Sequence, residues 1–99
     1  MDKKIEWSHA AVLDRFHIYQ FWVEKNKSDS YSIKLEMLFN EAAKLISEFP
    51  EIGTQTDLPQ LRVKVIRTYK VFYLNLPDKI QFVRVWDTQQ DPQRLEPLK

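Results

Sequence analysis

Ninety-nine residues make one domain with little room for a second, so a single domain over 1–99 is expected. A chain this short needs a core dense in large side chains, and 43% hydrophobic residues with three Trp, four Tyr and six Phe supply one, which argues against disorder along the whole length. The absence of Cys excludes a disulfide framework and a thiolate metal site, and no apolar run reaches the roughly 20 residues that span a bilayer.

The first seven residues alternate charged and apolar groups, unlike a signal peptide, so a cytoplasmic, soluble protein is expected, with no membrane contact. The net charge of +1 hides a segregation. Residues 1–57 carry 7 basic and 10 acidic side chains, residues 58–84 carry 6 and 1, and residues 85–99 carry 2 and 3. A local positive field of this kind attracts a polyanion or an acidic partner segment. The plainer reading is a solvated sheet face whose lysines discourage edge-to-edge pairing.

In chain order, Lys3 to Trp7 alternates polar and apolar residues and reads as a short strand. Ser8 stands where a helix N-cap would sit. Ala10 to Lys25 lacks Gly and Pro, and Leu13, Phe16, Tyr19 and Val23 recur at helical spacing, with Val12, Phe21 and Trp22 widening the apolar stripe. Asn26 to Ser30 is a polar break in which Ser28, Asp29 and Ser30 can each cap the next element. Tyr31 to Glu48 predicts a second helix with Leu35, Leu38, Ala42, Leu45 and Phe49 on one face and Met37 and Ile46 beside it. Two helices joined this tightly pack antiparallel. Phe49-Pro50-Glu51-Ile52-Gly53 ends the second helix, because proline cannot continue it and the single glycine is free to take a left-handed turn.

Thr54 to Gln60 is polar and loop-like. The period then changes from helical to two. Leu61 to Ile66, Tyr69 to Leu76 and Lys79 to Trp86 read as three strands, the last two separated by a turn at Pro77-Asp78. The fold class expected is α+β: an N-terminal strand, then an antiparallel helical hairpin packed on a small antiparallel sheet that a three-stranded meander completes. If Leu61, Val63 and Val65 face the helices, Arg62 and Lys64 point to the other side. Asp87 to Lys99, with Pro92 and Pro97, is expected to be irregular or a short helix.

Three stretches resemble the RelE/ParE toxin superfamily over nearly the whole chain. Lys4-Ile5-Glu6-Trp7-Ser8-His9-Ala10-Ala11 resembles its opening strand and helix cap. Leu45 through Gly53 resembles its "L..FP..G" helix exit. Arg62-Val63, Tyr69-Lys70-Val71-Phe72-Tyr73 and Val85-Trp86-Asp87-Thr88-Gln89-Gln90-Asp91-Pro92 resemble the "RV…YRIFY…VWDTRQDP" signature of members called plasmid-stabilisation proteins. The resemblance implies the toxin of a type II toxin–antitoxin module, neutralised by a cognate antitoxin. It leaves two targets open. RelE-like members cut mRNA in the ribosomal A site, and ParE-like members inhibit DNA gyrase by binding. A degenerate, non-toxic domain that keeps only its antitoxin-binding surface is the third alternative.

For a ribosome-dependent endonuclease, the resemblance assigns Arg62, Lys64 and Lys70 to the scissile phosphate. The 2′-hydroxyl attacks there while cations stabilise the developing charge. Lys70 stands where the family usually has an arginine, and it cannot hold a phosphate with two parallel hydrogen bonds. Gln89 and Gln90 replace the arginine that commonly follows Trp-Asp-Thr, and no His or Tyr near the C-terminus matches the family's acid or base. Arg67, Arg84, Gln89, Gln90 and Trp86 are the candidates for nucleic-acid or partner binding, with Trp86 either anchoring the last strand to the core or stacking on a base. His9 and His17 lie eight residues apart without carboxylates at ligand spacing, and no metal or cofactor is expected. Asp87 and Asp91 are expected to cap local turns.

Overall fold

The structure, a computed structural model, describes residues 2–89. Strand β1 (Lys4–Trp7) leads into helices α1 (His9–Asn26) and α2 (Ser30–Glu48), followed by β2 (Thr54–Gln55), β3 (Leu61–Ile66), β4 (Tyr69–Asn75) and β5 (Lys79–Asp87). The five strands form one sheet in the order β1-β5-β4-β3-β2. The helical hairpin packs on one side of it, which is the α+β arrangement expected from the sequence. Strands β2 to β5 pair antiparallel, but β1 lies parallel to β5, so the sheet is mixed. Parallel pairing here requires the whole helical hairpin and meander as its crossover.

Ser8 is the hinge of this arrangement. Its hydroxyl accepts the Ala11 N–H at 3.1 Å, capping α1 as expected. The same hydroxyl donates to the Val83 carbonyl at 3.0 Å, and the Ser8 N–H donates to the Phe82 carbonyl at 2.9 Å. Val83 is an extra residue in β5, because Phe72 pairs with Arg84 while Tyr73 pairs with Phe82. Where β1 stops, α1 takes over the edge of β5: the Asp14 carboxylate accepts the Val85 N–H at 2.9 Å. The second helix begins at Ser30 without a side-chain cap from Asp29, while Ser28 Oγ accepts the Ser30 N–H at 3.2 Å.

The core lies between the hairpin and the sheet and consists of Leu35, Phe39, Ala43, Ile46, Tyr69, Val71, Tyr73, Ile80, Phe82 and Val85. On α2 this corrects the expected face. Leu35 is buried as expected, but Phe39, Ala43 and Ile46 accompany it, while Leu45 and Phe49 are 40% and 59% exposed. The buried row sits about a third of a turn from the one inferred, because the ambiguous apolar run offered two overlapping stripes. On α1 only Ala11 is fully buried, and Leu13 and Phe16 of the expected stripe are 42% and 54% exposed. Trp22 does pack against the core, its indole N–H donating to the Tyr69 hydroxyl at 2.7 Å.

Gly53 is needed for room rather than for handedness. It has no positive φ, but a Cβ there would stand 2.5 Å from Tyr73 Oη.

Candidate functional site

Register decides which side of the sheet each candidate occupies, since residues directly opposite one another on paired strands share a face. Arg62 pairs with Tyr73 and Lys64 with Val71, both core residues. Arg62 and Lys64 therefore project to the helix side. Val63 and Val65, opposite Phe72 and Lys70, project away from it. This reverses the expected alternation. Strand β3 lies two strands away from β5, on which α1 chiefly packs, so its helix-side positions need not be apolar; on the other side Val65 is left 56% exposed.

Arg62 is bound within its own chain. Its Nη1 donates to the Gly53 carbonyl at 2.8 Å and the Glu51 carbonyl at 3.2 Å, and Nη2 lies 4.0 Å from the Glu51 carboxylate. Tyr73 joins it: its hydroxyl accepts the Gly53 N–H at 2.9 Å and donates to the Pro50 carbonyl at 2.8 Å. Burial pushes the Tyr73 hydroxyl above its ordinary pKa of 10.0, partly countered by the Gly53 N–H and the Arg62 charge. Together the two side chains latch the exit of α2 onto the sheet. Lys64, on the same side, has no hydrogen-bond or ion-pair partner among the described residues.

The opposite face carries Lys70, Phe72, Arg84 and Trp86. Lys70 pairs across from Trp86 and Val65 and has no partner among the described residues. Trp86 is half-buried on this face and is not anchored in the core, the first of the two roles weighed for it. It meets Phe72 edge-on with ring centroids 5.4 Å apart, and the Arg84 guanidinium lies 5.1 Å from its ring centre. Arg84 is itself committed. Its Nε and Nη2 bind the two Asp14 carboxylate oxygens at 2.8 and 3.0 Å, and this two-pronged contact raises the Arg84 pKa further.

Arg67 sits exposed in the two-residue β3–β4 turn with φ 59°, a conformation that costs a non-glycine residue energy. Gln89 is exposed, and its backbone N–H donates to Asp87 Oδ1 at 2.9 Å, so Asp87 takes the local capping role expected of it. Gln90 and Asp91 lie outside the described residues. His9 and His17 are exposed on α1.

The six basic residues of the positive segment thus do not converge. Arg62 and Lys64 occupy one face, Lys70 and Arg84 the other, Arg67 a turn, and Lys79 an ion pair with Glu6 at 2.8 Å. That hydrogen bond from Lys79, followed by one from Gln81, holds the Glu6 carboxyl below its usual pKa. The residues that organise the neighbourhood but escaped sequence reading are Asp14 and Tyr73. Asp14 carried one signal, as a lone acid inside an apolar helical stripe; Tyr73 carried none, because strand tyrosines are common.

No family model matches the sequence, and no curated protein does. Among solved structures, the chain is similar to one from the chromosomal ParDE toxin–antitoxin system of P. aeruginosa, with TM-score 0.74 at 17% identity, covering 86% of this chain and 95% of that one. Looser likenesses, with TM-scores of 0.46 and 0.44 at 19% identity, are to two structures of the E. coli DinJ-YafQ complex; they cover 89% and 87% of this chain and 94% and 93% of theirs. At such identities the likeness is one of fold. The chain has the fold found in the ParDE structure, in keeping with the RelE/ParE resemblance carried by its sequence motifs.

Proposed function

We propose that this protein is the toxin of a type II toxin–antitoxin module, neutralised in the cytoplasm by a cognate antitoxin, and that it acts by binding a protein target rather than by cutting RNA. The shared fold with the ParDE system supports the first half of the reading. DNA gyrase is the target that resemblance to ParE implies.

The observation that carries the second half is the division of the cations. A phosphate-cleaving centre needs positive groups converging within hydrogen-bond reach of one phosphate. Here Lys64 and Lys70 stand on opposite faces by register, and Arg62 is tied through Nη1 to the Glu51 and Gly53 carbonyls. A binding inhibitor needs no such convergence.

Expression of the chain alone, with message integrity and plasmid supercoiling followed together, tests the reading. Intact messages with relaxed or broken DNA are expected. Cleaved messages that become intact in the Lys64→Ala/Lys70→Ala double variant would instead assign Arg62, Lys64 and Lys70 to a ribosome-dependent nuclease. Normal growth with both intact would identify a degenerate antitoxin-binding domain.

A further inference from the structure

A cleft of about 440 Å³ opens where β1, α1 and α2 meet, lined by Trp7, Val12, Arg15, Phe16, Tyr19 and Glu36. Its size falls within the range of small-molecule sites, and its walls are mainly apolar with a few polar groups, as such sites require. Its lining includes none of Arg62, Lys64, Arg67, Lys70, Arg84 and Trp86.

Arg15 organises the cleft. The guanidinium lies 4.3 Å from the Trp7 ring centre and 5.6 Å from that of Phe39. Its Nε and Nη2 each donate to a Glu36 oxygen at 3.0 Å, and Nη2 also reaches Asn40 Oδ1 at 3.0 Å. The Arg15 side chain is only 12% exposed, so this geometry is held by packing. Trp7 is fixed in turn by stacking on Phe82, with ring centroids 4.3 Å apart.

Two donors remain. Nη1 of Arg15 and the Tyr19 hydroxyl have no hydrogen-bond partner among the described residues. Among the described residues no buried side-chain nitrogen or oxygen lacks a partner, so both atoms are open to solvent. Two pre-positioned donors beside apolar and aromatic walls ask for an acceptor on a flat apolar body. The charge balance narrows the acceptor further. Glu36 already neutralises Arg15, so a carboxylate entering here would meet Glu36 as a like charge, and an ammonium would meet the guanidinium. A neutral carbonyl meets neither penalty.

We propose that this cleft is a binding site for a neutral aromatic molecule bearing a carbonyl or amide acceptor. The ring lies against Phe16 and Val12, beside the edge of Trp7, whose two faces Phe82 and Arg15 cover, and the oxygen accepts from Arg15 Nη1 and the Tyr19 hydroxyl.

Three probes that share one ring system and differ in head-group charge test the site: 2-naphthamide, 2-naphthoate and 2-naphthylmethylammonium. Each is titrated into the intact chain while the Trp7 indole N–H and Arg15 Nε–H resonances are followed by NMR. The amide is expected to shift both signals and to bind about fivefold tighter than either ion. Phe16→Ala, at an exposed position that folding does not depend on, should weaken the amide several-fold. Glu36→Gln leaves the guanidinium unneutralised and should reverse the order, with the naphthoate binding tightest. Equal affinity for all three probes, no shift at Trp7 with the amide at saturation, or an unchanged order in Glu36→Gln would overturn the proposal. If Glu36→Gln proves unfolded by circular dichroism, the Phe16→Ala titration and the wild-type order decide it alone.

Discussion

On the helix side of the sheet both tyrosine hydroxyls are partnered, Tyr69 by Trp22 and Tyr73 by Gly53 and Pro50, and Phe82, Ile80 and Val71 are sealed from water. On the other side Phe72 and Trp86 lean on each other, Lys70 is unpaired among the described residues and Val65 stands open. The two faces are made from the same strands, residue by alternate residue. One face therefore carries the stability, and the other is free to change without threatening the fold. Engagement of the cations cuts across the two faces: Arg62 on one and Arg84 on the other bind carbonyls and a carboxylate, whereas Lys64 and Lys70, one on each face, have no partner among the described residues.

The comparison can be broken most directly at paired aromatic positions. Phe82→Ala removes a fully buried ring stacked on Trp7 and should cost about 3–5 kcal/mol in urea denaturation, whereas Phe72→Ala on the opposite face should cost about 1 kcal/mol. Equal losses would mean that the outer face is also covered. Next in size are the polar anchors. Tyr73→Phe strands the Gly53 N–H and Pro50 carbonyl and should cost about 1–3 kcal/mol, and Asp14→Ala should cost a similar amount by freeing the Val85 N–H and Arg84. Lys70→Ala, by contrast, should stay within about 0.5 kcal/mol.

Alkaline titration sharpens the same contrast. Tyr69 and Tyr73 have pKa values raised above 10.0 by burial, so both states hold their protons below that pH and stability is intact there. Above it the unfolded hydroxyls ionise first, and stability is lost as pH rises through the raised folded values. Tyr73→Phe should therefore flatten the decline of the denaturation midpoint above pH 10 relative to the parent. One change should be a gain: Arg67→Gly relieves a left-handed backbone at φ 59° and should stabilise by about 0.5–1 kcal/mol.

Element order was legible because periodicity changes sharply in this chain, except for the two-residue strand β2, which lies in the polar stretch 54–60 expected to be loop. The Ser8 cap, the helix break at 26–30 and the turn at Pro77-Asp78 are local signals, and the helix limits shifted by only one residue, from Ala10–Lys25 to His9–Asn26 and from Tyr31–Glu48 to Ser30–Glu48. Facing was not legible. Phe16 and Leu13 look like core, but α1 buries little besides Ala11, and only the distant partners Asp14–Arg84 and Arg15–Glu36 show how it is held. The side on which Arg62 projects depends on its pairing with Tyr73, a contact between strands that no window of sequence contains. The parallel seat of β1 was hidden for the same reason, since Trp7 meets Phe82 across the whole chain.

That seat has a consequence for biosynthesis. Of the five strands described, β1 is synthesised before the others yet pairs with β5, which is synthesised after them, and Ser8 waits for a carbonyl 75 residues downstream. Until β5 emerges, both β1 and the open flank of β4 are unsatisfied edges, so the growing chain stays vulnerable to proteases and to strand-pairing with neighbours until residue 87 has been made. A protein assembled this way acquires its final shape late and all at once, and truncation anywhere before residue 87 should yield an incomplete sheet rather than a smaller working one.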